Sequence, residues 1–457
     1  MSWRESFEVS FYVAVSAGMA MGTASFLILA GAFELAGPGL VMVGVLVAMV
    51  LCMLVSSAIA EVASMYPSAP GVRTYIKQAY GDGPSLFFVF LYLLFVGLAA
   101  GAESYMFACV VHGVFPVLPV LGSSLVMVVL VAAVNLMGIG TSRGTQIATT
   151  VLLGLATLAL GIAALGAEAS RQPALALGDV VAELHALPAV AGMCVFLFVG
   201  FEWVTPLGFG PGAYQRKIPR AMPAGIGFNA VLYLVFVLGA AHVLPRASLA
   251  ATMTPQLTVG ELVAGGAGAV FVLGLCVVAT ASTFNAGILG GSRLIYALAR
   301  ERRLPAMFAD FSLARQVPRG GILLLAGMTL VSTLVVGLGE LYLEAALIAS
   351  ALVCFVYGAM LMSARRLRAT QARRKRAFVS RVGRTGMLAL AVLCVGLGLA
   401  SLAGDPKQVG TLVAGTAACV LAAWGLARWS LAHAALAVPA GGGPGQVRET
   451  VDGVSEP

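Results

Sequence analysis

The sequence predicts an all-α membrane protein of about 12 transmembrane helices, and three observations carry that assignment. Sixty per cent of the 457 residues are hydrophobic and only 10% are charged, a balance too apolar for a water-soluble chain of this size. The apolar residues gather into a dozen runs, each near the 20 or so residues that a helix needs to cross a hydrocarbon core. These runs are also too long for a membrane barrel, whose strands show only about ten residues of weak alternation each.

In chain order the runs fall at 11–34, 39–60, 85–111, 123–139, 146–166, 189–209, 222–244, 264–292, 321–338, 342–364, 385–403 and 409–427. The first is too long for a cleaved signal peptide and continues into membrane sequence, so it is expected to stay as helix 1. The 55 glycines fit, since small residues are frequent in membrane helices. The longest polar insertions, 167–186 and 365–384, are about 20 residues each. A single transmembrane domain over 1–434 is therefore expected. Residues 435–457, rich in Gly and Pro without apolar periodicity, read as a disordered cytoplasmic tail.

The formal charge is +8, and the placement of the 27 basic residues explains it. Arg171, Arg246 and Lys407 fall in alternate loops, and the other 24 lie on the opposite side or at helix ends facing it. The positive-inside rule then puts both termini in the cytoplasm, with the chain in the cytoplasmic membrane. The densest run, RRLRATQARRKR at 365–376, reads as a topological anchor against the bilayer rather than a nucleic-acid site.

Several chemistries are disfavoured. The seven cysteines, Cys52, Cys109, Cys194, Cys276, Cys354, Cys394 and Cys419, sit singly within the runs and read as small buried hydrophobes. His112, His185, His242 and His433 lie at run ends or in the tail, so no metal site is expected. The chain has no HExxH or Walker-type motif, which argues against an enzyme and against a resident cofactor.

Function is then carried by polar groups inside the runs. Carboxylates at membrane depth are costly, and Glu103 in run 3 and Glu202 in run 6 stand out. Neither has an obvious basic partner, because Arg293 sits near the cytoplasmic end of run 8 and can snorkel. Glu103 could lie near the outer boundary and be solvated. Glu202 lies about 13 residues, or about 20 Å of helix, inside its run.

Run 1 carries GMAMGTASF at 18–26, and run 6 carries CVFLFVGFEWVTPLGFGPG at 194–212. Each places a glycine, Gly22 or Gly200, among polar groups in mid-helix, and run 6 adds Pro206. Gly18 and Gly22 also make a GxxxG spacing suited to close helix packing. The two runs stand five apart, at corresponding positions of two five-helix halves, the pattern of a transporter whose paired broken helices form a binding site. If both unwind, the amides near Gly22, Thr23 and Ala24 favour a carboxylate. Freed carbonyls near Phe196 and Val199 would accept from an ammonium group, so a zwitterionic amino acid satisfies both ends.

These residues resemble the amino acid-polyamine-organocation (APC) transporters. MGTASF resembles the IGSGIF motif of helix 1, and AEVASMYPSAPGVRTYIKQAYG at 60–81 resembles the segment after helix 2. NLMGIGTSRGTQ at 135–146 is similar to the turn between helices 4 and 5. FLFVGFE, followed by RKIPRAMPAGI, is similar to helix 6 and its sequel, and SRLIYALARERRLP at 292–305 to the run after helix 8.

The resemblance implies a LeuT-like fold: a 5+5 inverted repeat, repeat one about 11–166 and repeat two about 189–364, plus two C-terminal helices at about 385–427. It also implies alternating access, with Thr23 and Ala24 at the substrate carboxylate and the carbonyls of Ala20, Phe196 and Val199 at its amine. The Phe196 ring would occlude the site, and Glu202 would join a network coupling helix 1 to helix 6. Three positions depart from the pattern: Ala24 replaces a glycine, Pro70 replaces the first of a glycine pair, and PLGFGPGAYQ stands where an acidic pair is usual.

For coupling, run 5 lacks the lysine that some family members place there. Ser282 and Thr283 in run 8 could offer oxygens to a sodium ion, although such hydroxyls more often bond their own backbone. Proton coupling through Glu202 or Glu103 is the favoured expectation, and exchange is an alternative. An amine or polyamine carrier, with Glu103 pairing a cationic substrate, stands as the second functional reading.

Overall fold

The computed structural model describes residues 3–67, 71–138, 143–168, 177–208, 212–404 and 407–436. Pro70, Arg171, most of the helix 4–5 turn (139–142), 209–211 and the tail beyond 436 lie outside them. The chain is built from helices α1 (Trp3–Gly18), α2 (Ala24–Leu35), α3 (Pro38–Met65), α4 (Gly71–Tyr80), α5 (Asp82–Val114), α6 (Val120–Leu136), α7 (Arg143–Gly166) and α8 (Leu177–Ala182). There follow α9 (Leu187–Cys194), α10 (Ile218–Val243), α11 (Arg246–Ala251), α12 (Pro255–Arg300), α13 (Arg319–Gly339), α14 (Tyr342–Thr370), α15 (Arg384–Leu402) and α16 (Val409–Leu436). Among the described residues ten helices are long and apolar enough to cross a membrane, while the two pieces of the first run and the 17-residue α6 are shorter.

The bundle is apolar on the outside as well as within. Leu155, Ile162, Val331, Val392 and Leu421 are each more than half exposed on the outer helices, which is favourable against lipid and costly in water. Helices α5 and α14 run through the middle, packed on each other, with α5 also against α6, α12, α13 and α16.

The first run is broken. Met19–Thr23 are not helical and separate α1 from α2. Non-helical backbone at this depth is tolerable only where protein satisfies it, and here it does. The Ala17 carbonyl accepts Asn229 Nδ2 at 3.2 Å, and the Gly18 carbonyl accepts Thr283 Oγ1 at 3.3 Å. The Ala20 carbonyl accepts the Tyr233 hydroxyl at 2.6 Å and Ser25 Oγ at 2.8 Å.

The sixth run is broken as well. After α9 comes a tight 3₁₀ turn, Val195–Phe198; Val199 is then extended and Gly200 takes φ +113° before a second 3₁₀ segment, Phe201–Leu207. A positive φ of this size suits glycine alone, and a Cβ at Gly200 would also sit 2.3 Å from Met19 Cγ.

Helix α12 departs from the expected 264–292. It is bent at Ala264–Gly265, with Gly265 at φ +57°, and continues to Arg300. Hydropathy marks where a helix leaves hydrocarbon, whereas its hydrogen bonds continue into water. For the same reason α3 extends past 60 to Met65, which brings Glu61 into the bundle. Glu61 is 1% exposed and pairs with Arg368 and Arg376, so it is a third buried carboxylate beside Glu103 and Glu202.

At one end of the bundle the fully buried Arg73 of α4 bonds Asp82 at 3.0 Å and Glu301 at 2.6 Å. Arg303 holds the second oxygen of Asp82 at 2.8 Å. This cluster ties α4, the start of α5 and the residues following α12.

Candidate substrate site

The two breaks face a common cavity. Met19, Ala20, Gly22, Ala24 and Ser25 line one side and Phe196 and Val199 another, with Phe95 and Glu103 of α5, Thr283 and Ile288 of α12, and Leu325 and Thr329 of α13 completing the wall. Of the residues picked out in the sequence, Ala20, Gly22, Ala24, Phe196, Val199, Glu103 and Thr283 are brought together here. Thr23 is fully buried behind the wall, and Gly200 forms the break itself.

Glu103 is 3% exposed and is not at a solvated boundary. Its Oε1 accepts the Thr23 N–H at 2.9 Å, the Thr23 hydroxyl at 2.8 Å and the Thr280 hydroxyl at 2.8 Å. Its Oε2 accepts the Ala24 N–H at 2.7 Å. The amides expected to meet a carboxylate do meet one, from α5 of the same chain. The start of α2 lends its dipole to that contact. Gly22 makes the approach available, since a Cβ there would lie 2.4 Å from Oε2.

Both glycines of the GxxxG pair thus receive side chains from neighbouring helices: Gly18 packs against Gln146 and Thr150 of α7. Gln146 Nε2 donates to Ser282 Oγ at 3.1 Å and to the Ala14 carbonyl at 3.4 Å, while Asn285 Nδ2 donates to Gln146 Oε1 at 3.0 Å. Thr150 Oγ1 donates to the same Ala14 carbonyl at 3.0 Å. Ser282 therefore faces an amide nitrogen, away from the cavity, and is separated in role from Thr283.

Glu202 also lies outside the cavity, 3% exposed. Its carboxylate accepts the hydroxyls of Tyr92 on α5 and of Tyr357 on α14, the latter at 2.8 Å, and the Gly200 N–H at 3.2 Å. Its side-chain partners thus come from α5 and α14, not from helix 1. Tyr357→Phe removes one donor from this buried carboxyl, and a loss of about 1–3 kcal/mol of stability is expected in detergent unfolding. Tyr92, Tyr357, Tyr233, Gln146 and Thr280 were not picked out in the sequence. Their common signal is a long or hydroxyl-bearing polar side chain inside an apolar run.

Comparison with known proteins agrees with this architecture. The amino acid permease family profile matches residues 7–423. An uncharacterized transporter of Mycobacterium tuberculosis is 30% identical over 311 residues, covering 67% of this chain and 68% of that one. An aromatic amino acid transport protein of Corynebacterium glutamicum is 27% identical over 323 residues, 67% of this chain and 69% of that one. Among solved structures, a mutant manganese transporter of Eremococcus coleocola superposes with a TM-score of 0.64 at 13% identity, covering 95% of this chain and 96% of that one. At that identity the likeness concerns the fold alone. The broken helices, the cavity between them and the profile spanning nearly the whole chain converge on one assignment: this multi-pass membrane protein belongs to the amino acid permease family of the APC transporters, whose members carry amino acids or related substrates.

Proposed function

We propose that the protein is a secondary active transporter that moves an amino acid, or an amine related to one, across the cytoplasmic membrane by alternating access, coupled to protons. The observation that carries this reading is that both discontinuous helices break at the same buried cavity, the arrangement from which rocking carriers build their midplane sites. Two five-helix halves, at about 11–166 and 189–364, and cytoplasmic termini belong to the same reading.

Protons are favoured over sodium by Gln146. Its Nε2 donates to the Ser282 hydroxyl and to a helix 1 carbonyl, oxygens of the kind a sodium ion would need. The Asn285 Nδ2 bond to Gln146 Oε1 agrees with that orientation of the amide. Glu103 and Glu202 remain as carboxylates able to take up a proton.

The test is uptake by proteoliposomes in sodium-free medium under an inward proton gradient, using a labelled mixture of amino acids and amines. Uptake abolished by a protonophore is expected, with less than a twofold change when sodium replaces choline. Uptake that needs sodium and ignores the proton gradient would overturn the coupling assignment.

A further inference from the structure

The Thr23 and Ala24 amides are the two donors that a substrate carboxylate would need from the unwound helix, and Glu103 takes both. Its remaining partners, the Thr23 and Thr280 hydroxyls, are neutral. No basic side chain is among the residues lining the cavity. The site therefore holds a buried carboxylate with oriented donors but without a counter-ion. A zwitterion entering it would bring a second carboxylate against the first, with the amides already spent. A cation would neutralise it.

The acceptors suit an ammonium group. Oε1 takes three donors and Oε2 only one, which leaves lone-pair capacity on Oε2. The hydroxyls of Ser25, Thr283 and Thr329 donate to backbone carbonyls of Ala20, Gly18 and Leu325, so their oxygens are left to accept. The rest of the wall, including Phe95, Phe196, Ile288 and Leu325, is apolar.

From this geometry we propose that Glu103 stands in place of a substrate carboxylate, and that the carried solute is a primary amine with an apolar body and no carboxylate of its own. The inference rests on the transporter reading and narrows its substrate class. An amine of this class carries a hydrogen where an apolar amino acid carries its carboxylate, so breakage of the Cα–carboxylate bond with release of carbon dioxide and uptake of one proton at the α-carbon relates the two.

The experiment is ligand-induced thermal stabilisation of the purified full chain in detergent, at fixed pH and ionic strength, with matched pairs: isoamylamine against leucine and phenethylamine against phenylalanine. In the wild type each amine is expected to bind at least tenfold more tightly than its amino acid. Glu103→Ala removes the counter-charge and frees the two amides, so amine binding should fall at least tenfold while leucine or acetate gains affinity. Wild-type protein that binds leucine and phenylalanine more tightly than their amines would overturn the proposal, whether or not the variant folds. Failure of all four ligands to bind at millimolar concentration would also overturn it, while leaving proton-driven uptake of another solute intact. Amines that bind but show no counterflow in proteoliposomes would instead remove the transporter reading on which the proposal depends.

Discussion

Gly22→Ala is expected to reduce transport at least a hundredfold and to lower the unfolding temperature in detergent. The added Cβ would fall 2.4 Å from Glu103 Oε2 and 2.8 Å from its Cδ, so the carboxylate must leave its seat. Departure strands the Thr23 and Ala24 amides and the Thr280 hydroxyl, which now all point at it. Each buried group left unpaired costs about 1–3 kcal/mol, and about 3 kcal/mol at the site is enough for a hundredfold effect. Gly327→Ala is the control: a Cβ there meets nothing within 4 Å, and both uptake and stability should stay near wild type.

Glu61→Ala is expected to cost about 3 kcal/mol in an unfolding titration, more than any substitution on a lipid-facing helix. Its carboxylate accepts both Arg368 Nε, at 2.9 Å, and a second guanidinium nitrogen, as well as the Ser380 N–H at 2.9 Å. Removing one partner of a buried pair leaves the other charge uncompensated, a loss of about 3–5 kcal/mol; the Arg368 side chain is 15% exposed, which places the expected loss at the low end. Arg368 also donates to the Ser380 carbonyl at 2.7 Å, so the segment after α14 should loosen with it. Limited proteolysis after residue 370 would show that loosening, and Glu61→Gln should fall between the two.

The sequence was most informative where polarity and local geometry coincide. A glycine beside Thr23 or Glu202 in an apolar run signals that helical bonding stops there, and both breaks lie where that pattern is. The apolar runs located the helices but not their ends, because α3, α12 and α14 continue beyond hydrocarbon. Glu61 lies one residue past its apolar run for that reason. The occupant of the helix 1 amides was not legible either: Glu103 is 80 residues from Thr23, and nothing local distinguishes an internal carboxylate from one carried by a ligand. Gln146 presents the same difficulty, since only the packing of α7 against α1 and α12 turns an ordinary amide into a donor to the Ala14 carbonyl and the Ser282 hydroxyl.

The length of α12 has a mechanical consequence. Gly287 lines the cavity, and Glu301 follows the end of the same unbroken segment; at 1.5 Å per residue the two are about 21 Å apart along the axis. A tilt of about 10° around the cavity would sweep the far end by about 4 Å, more than enough to part Glu301 from Arg73, now at 2.6 Å, and Arg303 from Asp82, now at 2.8 Å. Under the proposed alternating access the helix would act as a lever, a short stroke at the ligand becoming a long stroke at an ionic catch. Because that catch is partly open to water, dissolved salt screens it, and the rate at which these ion pairs open should rise with ionic strength even when the cavity is empty.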